Sequence, residues 1–151
     1  LAPVIGASLS RHVQRTNQAS LVALMRQSAL AEAVRATLGM TFEAYDDAAR
    51  VRDDLALRID AALIEAGDAG DDVAFAGLDA LRLAMVKDLT ARGASLARVA
   101  EVETVSSEPA LVIAYRLYGD AARADEIVAR NKLAHPGFAP AGLALQVLAD
   151  A

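Results

Sequence analysis

Two histidines, His12 and His135, are the side chains of this sequence best suited to moving a proton or ligating a metal near neutral pH. His135 lies beside Pro136 and Gly137, a composition that marks a loop, whereas His12 falls in a polar helical stretch far away in the sequence. A metal site or a general base built on either would need more ligands or a nucleophile, and no spacing supplies them. The expected role of His135 is therefore structural. Asp68, Asp71 and Asp72 could hold a divalent cation, but they lack the alternating ligands and terminal Glu of a calcium loop, so a solvated turn and helix capping are expected. Glu101 and Glu103 share one face of an alternating segment and imitate a carboxylate pair. Adjacent same-face acids are common on polar strand surfaces, so no catalysis is assigned to them. The chain has no cysteine, which excludes disulfides, thiol nucleophiles and cysteine-ligated zinc. No catalytic, cofactor or metal residue is assigned.

Recognition is the remaining chemistry. Ser106, Ser107 and Glu108 precede Pro109 in a turn, and Asn131, His135, Pro136 and Phe138 flank a second loop, so these seven residues are the candidates for contacting a partner or a glycan. Asn131 has two readings: it satisfies backbone groups where a helix ends, since Asn tolerates the left-handed conformation, or it bonds a sugar or peptide. Tyr115 and Tyr118 stand three apart and, with Phe138, supply most of the aromatic surface of this region. A sugar platform would expose a ring and core packing would bury it; burial is the expectation.

These residues must be held by elements that the apolar periodicity outlines. From about Ser8 to Leu38 there is no Pro or Gly, and Leu21, Leu24, Met25, Leu30, Val34 and Leu38 form a stripe expected to face inward on one long helix. Gly39 and Thr41 supply a stop and a new cap. A second helix is expected from about Phe42 to Ala66, with Tyr45, Ala48, Leu55, Ile59, Ala62 and Leu63 inward and Asp46–Arg50 and Asp54–Arg58 pairs at four-residue spacing. After a Gly-Asp turn, Val73 to about Arg92 carries Leu78, Leu81, Met85 and Leu89 at helical steps. These three segments fit an antiparallel helical bundle over residues 1–93.

Residues 94–151 read differently. Val99 to Val105 alternates apolar and polar residues as a half-buried strand does. Pro109 can open a helix from Ala110 to Tyr118, Gly119 can end it, and Asp120 can cap a second one to Arg130 or Asn131. Leu143 to Leu148 closes the chain as a strand able to pair with the first. The fold class expected is mainly α, a helical bundle followed by a small βααβ module.

Charge narrows the partners. Of a net −5, residues 1–40 carry +3, residues 41–97 carry −6 and residues 98–151 carry −2. An acidic centre repels phosphate backbones, so direct nucleic-acid binding by this stretch is not expected. The run from Ala19 to Met40 is interrupted by Arg26, Gln27, Glu32 and Arg35, so no membrane span is expected. The start lacks the pattern of a signal peptide, and a beginning at Leu1 is what a piece of a longer polypeptide would have.

Two resemblances follow. The helix ending Ile113-Ala114…Leu117-Tyr118-Gly119-Asp120, then Glu126-Ile127, Asn131, Pro136 and Pro140-Ala141-Gly142…Leu145…Val147, resembles the lysin motif fold, two helices on one side of a two-stranded antiparallel sheet. Here Ser107-Glu108-Pro109-Ala110 replaces the family's Gly-Asp-Thr-Leu entry, which alters a loop that contributes to glycan binding in carbohydrate-binding members. More closely, Ala114-Tyr115-Arg116-Leu117-Tyr118-Gly119-Asp120 with Ile127-Val128-Ala129-Arg130-Asn131 and His135-Pro136-Gly137-Phe138 is similar to the C-terminal end of the DNA circularisation proteins of Mu-like bacteriophages and prophages. That resemblance implies a non-catalytic virion component of a phage tail or baseplate, assembled in the bacterial cytoplasm, linked to circularising or protecting injected DNA. Its implied partners are other tail proteins and further copies of itself. The lysin-motif alternative implies peptidoglycan.

Overall fold

The structure is a computed structural model that describes residues 8–149; within them are five α-helices and one two-stranded antiparallel sheet near the C-terminus. The chain is thus mainly α with a small α+β part. The residues gather into two compact units, one of 8–41 with 48–92, the other of 42–47 with 93–149.

The first unit is built from α1 (Leu9–Thr37), most of α2 (Tyr45–Asp68) and α3 (Asp72–Gly93). Ser8 caps α1 by accepting from Arg11 N, and Asp71 caps α3 by accepting from Ala74 N at 3.0 Å, the role its acidic turn suggested. Leu55, Ile59, Ala62 and Ala66 of α2 are buried at steps of four and three, and Leu78, Met85 and Leu89 of α3 at steps of seven and four. Polar links join the helices: Arg26 of α1 pairs with Glu65 of α2, Arg82 of α3 grips Asp60 of α2 through two bonds at 2.5 and 3.2 Å, and Arg92 donates to the carbonyls of Thr37 and Met40. The Asp54–Arg58 pair forms at 2.9 Å.

α1 departs from its expected stripe. Leu30 is buried and Val34 half-buried, but Leu21, Leu24, Met25 and Leu38 are exposed. The reason is that α1 meets the rest of the unit through a different line of residues, Ala23, Gln27, Leu30, Val34 and Thr37, spaced by four and three and turned away from the leucines. The six apolar residues therefore do not share one face: at 3.6 residues per turn Leu30 and Val34 lie on the side away from Leu21, Leu24 and Met25, and only the Leu30 and Val34 side is covered.

In the second unit, β1 (Arg98–Glu103) pairs antiparallel with β2 (Ala144–Ala149), setting Ala100 opposite Val147 and Val102 opposite Leu145. Between the strands run α4 (Ala110–Tyr118), a 3-10 turn (Ala121–Arg123) and α5 (Ala124–Asn131). Pro109 caps α4, Gly119 ends it in the left-handed region at φ 69°, and Asp120 accepts from Ala122 N at 2.9 Å to start the next turn. Both helices close on the sheet through Ile113, Ala114, Ile127, Leu145 and Val147, with Ala139 beside them.

Three local expectations change here. β1 ends at Glu103, because buried Thr104 turns to the 140–143 loop: its hydroxyl bonds Pro140 O at 2.5 Å and accepts from Leu143 N at 3.0 Å, which leaves Val105 exposed. The left-handed residue after α5 is Lys132, at φ 49°, not Asn131. α2 begins at Tyr45 rather than at Phe42, because the stretch before it is held inside the second unit. Tyr45 N donates to Ala97 O at 2.9 Å, and Asp46, expected as the helix partner of Arg50, accepts from Val99 N at 2.7 Å. Ala44 is fully buried there.

Candidate functional site

The seven recognition candidates lie in the second unit, and the fold joins most of them. Glu108 and Ala139 exchange backbone hydrogen bonds, with Glu108 N donating at 3.1 Å and Ala139 N at 2.9 Å, and Ala110 N donates to Pro136 O at 2.8 Å. The loop before α4 and the loop before β2 are therefore stitched side by side, so that Ser106, Ser107, Glu108, His135, Pro136 and Phe138 belong to one surface. A hairpin of two short loops is held this way because neither has a helix or strand of its own to satisfy its backbone groups.

Within that surface Glu108 is committed. Its carboxylate accepts from Ser106 Oγ at 2.8 Å and from Arg116 Nη1 at 2.8 Å. The Ser106 hydroxyl and then the Arg116 guanidinium stabilise the ionised carboxylate and hold its pKa below the ordinary carboxylate range. His135 is also engaged: Nδ1 accepts from Gly137 N at 3.0 Å, and its ring lies 5.4 Å from the ring of Phe138 at a tilt of 51°. That bond fixes Nδ1 as the unprotonated nitrogen of the neutral ring and leaves Nε2 to carry the hydrogen. Phe138 is 68% exposed and Tyr115 66%, so neither ring is buried as expected; Tyr118 is half-buried, its hydroxyl accepting from Leu148 N at 3.1 Å.

Asn131 stands apart from that surface. Its Nδ2 donates to Ile127 O at 2.9 Å and to Gln146 O at 2.8 Å, while its Oδ1 accepts from Gln146 N at 2.7 Å. The amide acts as a short surrogate strand along the outer edge of β2. Of the two readings of Asn131, the bonds it makes are those of the backbone-satisfying one.

The other chemical groups stay dispersed. His12 is an exposed residue of α1. Glu101 and Glu103 face solvent from β1, opposite Gln146 and Ala144. Among the described residues no three His, Asp or Glu side chains converge as a metal would require, and no helix is long and apolar enough to cross a membrane.

One cluster escaped the sequence reading. Arg130 of α5, with a side chain only 9% exposed, donates to Glu43 at 3.2 Å and to Asp47 at 3.3 Å, while its Nε is buried without a partner. It binds the 42–47 segment into the second unit together with Arg98, whose guanidinium lies 4.4 Å from the centre of the Tyr45 ring. The partners are more than eighty residues apart in sequence, so no local pattern could have paired them.

No family model matches the chain. Over 112 residues, however, it is 30% identical to the Mu-like prophage FluMu DNA circularization protein of Haemophilus influenzae. The chain is a relative of that prophage protein. The match takes in 74% of the chain, and since only 59 residues follow Arg92, it reaches well into the helical segments. The kinship with the prophage protein is therefore not confined to the loops and short helices that first suggested it. The chain corresponds to about a quarter of the length of this curated relative.

Proposed function

We propose that this chain is a non-catalytic structural part of a phage or prophage-derived tail or baseplate protein, assembling through helix faces and a terminal docking module, in a polypeptide linked to delivery or circularisation of the genome. The observation that carries this reading is the relationship, over three-quarters of the chain, to a prophage protein named for DNA circularization. The chemistry agrees with it. The paired loops commit Glu108 and His135 to internal bonds and put outward a ring and small polar groups, the composition of a contact surface rather than of a reaction centre. The acidic net charge favours protein partners over nucleic acid for this stretch. Other tail proteins and further copies of the chain are the partners, and the virion is its location.

A second reading, a lysin-motif-like module that binds peptidoglycan, is favoured by one observation, the exposed Phe138 ring beside His135 on the stitched loops. The two readings part in one experiment. Particles from an induced host are purified and mapped by cryo-electron microscopy, and the chain is titrated with murein and chitin oligomers. Density for the chain in the tail with no saturable sugar binding is expected. Absence from purified particles, or saturable binding of the oligomers, overturns the structural reading.

A further inference from the structure

An antiparallel ladder leaves every second residue of each strand with its N–H and C=O turned outward, away from the partner strand. In this sheet Thr104 N bonds Leu143 O, just past the end of the ladder, so the even-numbered residues of β1 bond across to β2 and the odd-numbered ones, Val99, Glu101 and Glu103, turn outward. On β2 the outward groups of Gln146 and Leu148 are met by Asn131 and Tyr118. On β1 the Asp46 carboxylate meets Val99 N. Among the described residues, no protein group meets the outward N–H or C=O of Glu101 and Glu103, and neither carboxylate has a hydrogen-bond or ion-pair partner. Both residues are exposed.

We propose that the open stretch of the β1 edge at Glu101 and Glu103 takes up an extended basic segment of a separate protein as a third strand, with Lys or Arg two residues apart opposite the two carboxylates. The backbone sets the shape of the occupant. Donors and acceptors repeating every two residues, about 7 Å, match another strand, whereas a helix has spent its backbone groups on itself. The side chains set its chemistry. Ala100 and Val102 pack toward the core of the unit, so Glu101 and Glu103 lie together on the other face, where the residue directly opposite each in an added strand stands about 5 Å away. Opposite charges at that distance favour pairing and like charges oppose it. A second copy does not fit. Antiparallel pairing of two β1 edges sets carboxylate against carboxylate, and the edge of β2 is already held at Gln146 and Leu148. Of the 15 Lys and Arg residues, only Arg50 with Arg52 and Arg130 with Lys132 stand two apart, the first pair within α2 and the second at the end of α5. The extended basic pattern that complements this edge therefore comes from outside this sequence.

This deepens the assembly reading above by naming what one partner brings, and it rests on that reading only for its biological setting. The test uses the whole chain and two end-blocked synthetic peptides, Val-Lys-Val-Lys-Val-Thr and its counterpart with Glu in place of Lys, titrated while the Glu101 and Glu103 amide signals are followed by NMR. The Lys peptide is expected to shift both signals, to slow their hydrogen exchange, and to bind about tenfold more tightly than the Glu peptide. Glu101→Lys combined with Glu103→Lys, two exposed positions, should reverse that preference. Two further Lys peptides carry N-methyl groups on the lysine amides or on the valine amides. Because one edge of a strand faces β1 and the other faces away, one of these should lose binding and the other keep it. Unmoved Glu101 and Glu103 signals, equal binding of the Lys and Glu peptides, an unchanged preference in the double variant, or the same effect from both methylations overturns the proposal. Concentration-dependent shifts of the two amides without peptide would assign the edge to a second copy and overturn it as well. Since the titration uses the isolated chain, absence of the chain from purified particles would overturn the assembly reading and leave this result standing.

Discussion

The helical unit and the βααβ unit solve the same problem by opposite means. The helical unit closes its core with Ala, Leu, Ile and Met side chains and joins its helices through charged groups at the surface, such as Arg26–Glu65 and Arg82–Asp60. Such pairs contribute little individually and tolerate variation in angle and register. The smaller unit has a core of only a few large residues, Ile113, Ile127, Leu145 and Val147 foremost, and supplements it with side chains that bond particular backbone atoms. Asn131 fastens the edge of β2 at Gln146, Tyr118 fastens it at Leu148, Asp46 fastens β1 at Val99, and Thr104 fixes the loop that leads into β2. Two strands alone make a marginal sheet, and their outer edges are the liability. Here the edge of β2 and the Val99 end of the β1 edge are occupied by side chains, which defines one register. The helical unit keeps an uncovered apolar line on α1 and the smaller unit keeps an exposed ring on a rigid loop pair.

The contrast is broken most forcefully by emptying the small core. Leu145→Ala is expected to cost about 2–5 kcal/mol and to unfold the second unit at markedly lower denaturant, because a fully buried leucine leaves a cavity that a two-stranded sheet cannot close. Leu24→Ala, an equal deletion on the exposed line of α1, should change monomer stability by no more than about 0.5 kcal/mol. Paired urea titrations followed by circular dichroism compare the two, and a comparable loss in both would erase the distinction. A smaller effect is expected from Arg130→Met, which keeps the length of the side chain and removes its charged bonds to Glu43 and Asp47. Loss of these charge-assisted bonds should cost about 1.5–3 kcal/mol, with faster amide exchange at Tyr45 and Val99, whose N–H groups bond Ala97 O and the Asp46 carboxylate where the same 42–47 segment is held. Unchanged exchange there would mean that the 42–47 segment is held by the core alone.

The smallest effect concerns acid. The Glu108 carboxylate is depressed first by the Ser106 hydroxyl and next by Arg116, and Asp53 of the helical unit is depressed first by its bond to Arg52. A group whose folded value is lowered adds stability above its unfolded value, near 4.5 for Glu108, and that stability is lost as the pH falls through the lowered folded value. The protection of the Ala139 and Ala110 amides, on the loop pair beside Glu108 and taken relative to the intrinsic exchange rate at each pH, should therefore fall as the pH drops below the ordinary carboxylate range. Glu108→Gln should flatten the dependence, and a profile identical in the two proteins would show that the stitched backbone needs no help from the carboxylate.

Much of the fold was readable. The bounds of α1, α3 and α4 lie close to where the absence of Pro and Gly, the Gly-Asp turn and the Pro109 to Gly119 punctuation put them, because those signals are local steric and capping effects that act wherever the residue stands. The site was readable only in part. Pro136, Gly137 and the Ser106 to Pro109 turn identified two loops, but nothing in either indicated that Glu108 would bond Ala139 and thus make them one surface. Tyr115 was expected inside because an aromatic three residues from Tyr118 suggests a shared face; the helix is only nine residues long, and Ile113 and Ala114 already fill its inner side.

By itself the sequence determined the kinds of element, their order and the lack of any thiol chemistry, since each depends on neighbours a few residues apart or on composition. It also determined that α1 carries large apolar residues, though not which of them the unit covers. Tertiary structure alone decided that residues 42–47 join the second unit, that Arg130 meets Glu43 and Asp47, and that Asn131 serves as the edge partner of β2. These contacts join residues far apart along the chain, and their selection rests on which buried charges and strand edges can be satisfied at once, a condition that exists only after the chain has folded.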